Sequence, residues 1–199
     1  MLILGIDPGT LQSGIVLWDT DKEEIQYNAI VDNAELQTVI YEQGPDKVVV
    51  EMISNYGNNV GAETYQTVLI IGRLQEFCRI YQIPCRLITR IRVRLHITGT
   101  SHAGDTAIRR AILDRYGYWG HGKTGVGTKE HPGKLYGVSS HMMSALAVAI
   151  TMGEKPDLST YDLVTPEIAE VKKAAAAKKR AKKKAKAEAE AHASGAIPG

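Results

Sequence analysis

The chain has 199 residues, 44% of them hydrophobic, and 24 Lys+Arg against 22 Asp+Glu give a formal net charge of +2. That size fits one globular domain, no apolar run reaches the ~18 residues needed to cross a bilayer, and two cysteines without Cys-x-x-Cys spacing behind an unbasic start point to a reduced, cytosolic protein. The near-neutral total hides a split, because residues 1–165 carry 15 basic and 18 acidic side chains while residues 166–199 carry 9 basic and 4 acidic ones.

Residues 2–7 read as a buried strand entering Asp7-Pro8-Gly9-Thr10, a turn signal. Residues 13–18 form a second strand, Asp19-Thr20-Asp21-Lys22 a polar turn, and residues 25–30 a third strand, which together make an antiparallel meander. Residues 33–41 have helical spacing, with Leu36, Val39 and Ile40 on one face, and Pro45 breaks the pattern. Val48-Val49-Val50 is apolar and β-branched throughout, as expected of a central strand buried on both faces. Residues 53–61 predict a polar loop, 62–82 a long helix ended by Pro84, and 85–89 a fifth strand. Residues 90–104 read as irregular, and Asp105 opens a helix running to about residue 116. Residues 117–137 hold seven glycines and read as a mobile loop, after which Ser139 or Ser140 caps a last helix over 142–152. The order β-β-β-α-β-α-β-α-α predicts an α/β fold, a five-stranded mixed sheet with helices on both faces. Residues 166–199 form a basic Ala/Lys-rich tail without an apolar face, expected to be partly helical and solvated.

Three polar residues stand at the ends of apolar elements. Asp7 closes the first strand, Glu51 follows Val48-Val49-Val50, and His141 begins the last helix. If strands one and four are neighbours, Asp7 and Glu51 lie side by side, and two carboxylates that close stay ionised only with a cation between them. Hard divalent cations such as Mg²⁺ prefer oxygen ligands of this kind. Metals held by carboxylates are suited to in-line attack on a phosphodiester. The plainer alternatives are a turn residue before Pro-Gly for Asp7 and a strand end meeting water for Glu51.

Gly5-Ile6-Asp7-Pro8-Gly9-Thr10 with Ser13-Gly14 behind it resembles the opening of the RuvC family of Holliday-junction resolvases. Val48-Val49-Val50-Glu51 is similar to that family's second catalytic strand, and residues 141–150 to its last helix. The segment from Gly127 to Gly137 most resembles phage-type members. The first motif alone is shared with actin-like ATPases, but no second phosphate loop follows here. The resemblance implies an RNase H-like nuclease domain over residues 1–165 and a homodimeric endonuclease that cuts Holliday junctions or other branched DNA, using Mg²⁺ with Mn²⁺ as a substitute. It implies Asp7, Glu51 and His141 as catalytic metal ligands. Ser144 departs from the pattern, because it stands where the family usually has a second carboxylate, one turn after the first. Asp105 is then a candidate substitute ligand, with a helix N-cap as its alternative role.

DNA contacts are expected from local basic groups. Arg86, Arg90, Arg92 and Arg94 cluster after the fifth strand, Arg109 and Arg110 follow, and Lys123, Lys129 and Lys134 sit in the glycine-rich loop. Tyr56, on a polar loop just after Glu51, is a candidate base-stacking wedge. The basic tail is a further candidate for backbone binding, and the long helix over 62–82 a candidate dimer face.

Overall fold

Strand segments that are apolar at consecutive positions must be covered on both faces, and residues 3–6, 15–18 and 48–50 are such segments. The computed structural model describes residues 1–53, 61–117 and 125–158. Its contacts divide the chain into Met1–Tyr161 and Asp162–Gly199; the second unit lies outside the described residues. Five strands, β1 (Leu2–Pro8), β2 (Gln12–Asp19), β3 (Glu24–Asp32), β4 (Lys47–Met52) and β5 (Cys85–Thr89), form one sheet in the order β3-β2-β1-β4-β5. β1, β2 and β3 pair antiparallel, whereas β1, β4 and β5 run parallel. Parallel neighbours need a crossover. The helix α1 (Leu36–Gln43) lies on the way from β3 to β4, and α2 (Ala62–Ile80) carries the chain from β4 to β5. Three helices follow: α3 (Arg90–Thr98), α4 (Asp105–Tyr116) and α5 (Ser140–Glu154).

The two-residue period of the strands sorts the core into two layers. Leu4, Ile6, Ile15, Leu17, Val48 and Val50 meet α1 and α2 through Leu36, Ile40, Ile71 and Leu74. Ile3, Val16, Trp18, Val49 and Ile88 face the other way, toward α3, α4 and α5. There Trp18 meets Tyr116 edge to face with ring centroids 5.2 Å apart, a favoured aromatic geometry. Cys78 and Cys85 are both unbridged.

α5 is buried along most of its length, from Met142 through Met152. It lies so close to the sheet that two strand positions beneath it admit no side chain. A Cβ on Gly5 would overlap the Ala145 carbonyl, and one on Gly14 would come within 2.6 Å of the His141 backbone.

Three sequence expectations need correction. The region read as irregular contains α3: Thr89 is extended, Val93 is buried, and Gly99 (φ 73°) closes the helix in the left-handed region, its N–H donating to the Leu95 carbonyl. Glu51 lies inside its strand rather than after it, since β4 runs to Met52, while β1 extends one residue beyond Asp7 to Pro8. Asp105 is the first residue of α4, with Gly104 at the N-cap, so it does not cap the helix. Its charge still complements the helix dipole from the first turn. In the described part of the glycine-rich stretch, Gly127 and Pro132 form an antiparallel bridge.

The far end of α5 is tied down by charge. The His96 ring Nε2 lies 2.6 Å from Glu154 Oε2, Arg115 Nη1 donates to Glu154 Oε1 at 2.7 Å, and the Tyr116 hydroxyl donates to the same oxygen at 3.3 Å. Burial raises the Glu154 carboxyl, but His96 and Arg115 outweigh it, and the net shift is below the ordinary 4.5. A carboxylate whose folded pKa is depressed stabilises the fold above its unfolded value, and that contribution is lost as pH falls through the folded one. Tm should therefore drop on acidification below pH 4.5. In a thermal melt series, Glu154→Gln should show a shallower drop; an equal slope would remove Glu154 from the account.

Candidate active site

β1 and β4 run side by side with Ile6 opposite Val50. The next residue on each strand is an acid, Asp7 or Glu51, and strand parity turns both toward the layer of α3, α4 and α5. The antiparallel partner of Asp7 is Gly14. Because Gly14 is bare, the first turn of α5 passes directly over it, bringing His141 Nδ1 to 3.0 Å from Asp7 Oδ2. Gly14 thus positions the histidine beside the acid.

The other acid is held from the opposite side. β5 delivers Arg90 at the start of α3, and its Nη1 donates to Glu51 Oε1 at 2.8 Å while its Nη2 donates to Asp105 Oδ1 at 2.6 Å. One turn further on, Arg94 Nη2 lies 3.6 Å from the same Asp105 oxygen. Arg94 Nε is buried without a hydrogen-bond partner. The Glu51 and Asp7 side chains are 10% and 15% exposed, whereas Asp105 and His141 stand in solvent at 68% and 70%.

These environments set the charges. Burial pushes Glu51 up to about 7, against the pull of Arg90. Burial also raises Asp7, opposed by its hydrogen bond to His141 and by the charge of Arg90. Asp105 is held below its ordinary value by its hydrogen bond to Arg90. Two neighbouring carboxylates held largely out of water repel each other, and a cation between them would relieve that repulsion.

Asp7 opens onto a cleft of about 430 Å³ whose lining also includes Arg90, Asp105, Arg109, His141 and Ser144, and Glu51 meets that lining through its bond from Arg90. Asp7 and Glu51 offer the hard oxygens that a divalent cation prefers, and Mg²⁺ commonly takes one or two carboxylates and completes its shell with water and phosphate. Among the described residues, no three His, Cys, Asp or Glu side chains are gathered closely enough to hold an ion by themselves. The residues therefore fit a cation held by Asp7 and Glu51, with His141 beside Asp7. Asp105 is turned to the arginines, and Ser144 brings a hydroxyl in place of a charge.

No family model and no curated protein matches the chain. Solved structures do. The Thermus thermophilus RuvC structure matches with a TM-score of 0.58 at 20% identity, covering 79% of this chain and 96% of that one. T. thermophilus RuvC in complex with Holliday junction substrate gives 0.55 at 20% identity, over 76% and 92%. The fold is that of RuvC. The yeast mitochondrial Holliday junction resolvase Ydc2 also matches, at 0.49 and 10% identity over 76% of this chain and 78% of that one.

On this RuvC fold the sequence-predicted site residues separate into groups. Asp7, Glu51, Asp105 and His141 are brought together through the contacts above. Arg90 and Arg94, expected to meet DNA, instead face the acids, because residues four apart on α3 share a side. Arg92 points elsewhere on the helix, and Arg86 is an exposed residue of β5. Lys129 and Lys134 are exposed, and Lys134 Nζ donates to the Glu23 carbonyl at 3.4 Å. Tyr56, Lys123 and the basic tail lie outside the described residues. Sequence reasoning missed the pairing of Arg90 with the acids and the close fit at Gly14. A signal existed for the first: Arg90, Arg94 and the trailing Gly99 have the spacing of a short helix with a glycine stop.

Proposed function

We propose that the protein is a metal-dependent endonuclease that cuts branched DNA, with four-way junctions as the leading substrate. The observation that carries this is the placement of two acids, the buried Glu51 and the half-buried Asp7, on neighbouring parallel strands, with His141 on Asp7 and Arg90 on Glu51. A bound divalent cation supplies an activated water and a charge that stabilises the leaving oxygen. Asp7 and Glu51 would hold it. His141 fixes the Asp7 carboxylate from the solvent side, and Arg90 fixes that of Glu51 from the protein side. Arg109, at the wall of the cleft, faces the path of a phosphate backbone, and contacts of that kind set register rather than read sequence. The fold similarity to a RuvC in complex with Holliday junction substrate supports the choice of DNA.

The test is incubation with a synthetic four-way junction and Mg²⁺, with EDTA as the control. Paired nicks on opposed strands are expected. No cleavage by either the wild type or Ser144→Asp would end the enzyme reading. A second reading, a junction-binding protein with a weakened site, is favoured by Ser144 in the cleft. On the enzyme reading, Ser144→Asp should raise cleavage by ~10-fold or more, since an added acid strengthens the hold on the cation. Tight junction binding with no cleavage by either protein would select the second reading.

Two opposed nicks call for two copies, and the exposed apolar residues Tyr65, Val68, Leu69 and Ile80 of α2 suit a homodimer face. The basic tail is proposed to add nonspecific backbone affinity, so binding should weaken less steeply with salt once it is removed. Recombination, repair or phage DNA processing in the cytoplasm of a bacterium or infected host would use such an activity.

A further inference from the structure

Glu51 is not a bare carboxylate waiting for a metal. One of its oxygens already accepts a hydrogen bond from a guanidinium, and that guanidinium reaches across to a second acid. Arg90 is part of the cleft lining alongside Asp7, His141 and Ser144. Its two bonds to acids use two of five N–H donors, which leaves the fork able to meet a phosphate oxygen as well. The acids at and just behind the cleft wall are equalled in number by guanidinium groups. Asp7, Glu51 and Asp105 are matched by Arg90, Arg94 and Arg109. Ser144 adds none. One divalent cation together with one DNA phosphate leaves such a site near neutrality, whereas two divalent cations would leave it strongly positive.

We propose that the Arg90 guanidinium is a built-in second cation, so that the site takes one divalent metal ion and not two. A guanidinium suits this task. It is always charged, planar and more weakly hydrated than an ammonium, and its donors match the oxygens of carboxylate and phosphate. Held at both Nη atoms by Glu51 and Asp105, Arg90 is fixed before the substrate arrives and loses little freedom when a remaining N–H engages a phosphate oxygen. Asp105 in this scheme is not a metal ligand. It is a positioning residue that anchors the guanidinium, with Arg94 behind it. The inference rests on the reading above that Asp7 and Glu51 bind a metal.

The experiment counts ions on the full-length protein with Mn²⁺ alone, by electron paramagnetic resonance of the unbound ion and by calorimetry, without DNA. One Mn²⁺ per chain is expected. Two per wild-type chain would overturn the inference while sparing the proposed function, and none would overturn the proposed function itself. Arg90→Met removes a positive charge next to the Glu51 ligand and should tighten Mn²⁺ binding by ~10-fold or more. Arg90→Lys keeps the charge and should stay within about threefold of the wild type. A purely structural role for Arg90 predicts the reverse for Arg90→Met, because a loosened site binds metal more weakly; equal or weaker binding in that variant overturns the inference. Should Arg90→Met fail to fold, the wild-type ion count decides alone.

Discussion

Asp7→Asn is expected to lower Mg²⁺-dependent junction cleavage by about 100-fold or more while leaving the fold at least as stable as before. Losing a ligand carboxylate removes several kcal/mol of metal-borne stabilisation, and about 3 kcal/mol already corresponds to a factor of ~100. The stability half follows from the direction of the pKa shift. Burial raises the Asp7 carboxyl above its ordinary value. A carboxylate with a raised folded pKa makes the fold less stable as pH rises through the shifted range, because the unfolded chain ionises more readily. At neutral pH the Asp7 charge is therefore a local cost, and an isosteric amide removes it. Single-turnover cleavage of a four-way junction checks the first half and a thermal melt the second. Addition of Mg²⁺ should raise the Tm of the wild type and leave that of Asp7→Asn unmoved. Cleavage by Asp7→Asn within about threefold of the wild type would exclude Asp7 from the chemistry.

Gly5→Val should destabilise the body by at least about 3 kcal/mol, near the upper end for overpacked cores. The added Cβ overlaps the Ala145 carbonyl, a backbone group that cannot rotate aside, and it also comes within 3.0 Å of the Ala149 methyl. α5 would have to lift off β1, opening the layer where Ile3, Val49, Leu146 and Ala149 are sealed from water. For a domain of this size the Tm should fall by roughly 6–12 °C. Gly72→Ala is the matched control. Gly72 lies inside α2 with nothing near its missing Cβ, and alanine there should stabilise by about 0.5–1 kcal/mol through helix propensity and a less flexible unfolded chain. Comparable Tm values for Gly5→Val and wild type would mean that α5 does not lie on β1 as described.

The strands were legible because their signal is local. Val48-Val49-Val50 and the alternating layers of β1 and β2 need no knowledge of distant residues, and the adjacency of Asp7 and Glu51 follows once β1 and β4 are neighbours. α3 escaped because Arg-Ile-Arg-Val-Arg-Leu alternates like a strand. Its helical form is settled by Val93 reaching the core and by the glycine stop at Gly99. With α3 misread, the Arg90 side chain had no direction, and its bond to Glu51, 39 residues away, could not be placed. The role of Asp105 was hidden for the same reason, since its partner is a side chain whose direction only the helix fixes.

The slots at Gly5 and Gly14 have a consequence for the order in which the protein is made. Both acids of the strand pair are made early, but the helix that seats on those slots and carries His141 is the last described element, with His141 134 positions after Asp7. At synthesis rates of about 5–20 residues per second, the nascent chain holds its acids for several seconds before their cover exists. Over that interval the α3–α5 side of the sheet is unsealed, and no half-made chain can assemble the cleft. A chain stalled or truncated before α5 carries Asp7 and Glu51 without the histidine that bonds Asp7 and without the helix that fills the glycine slots.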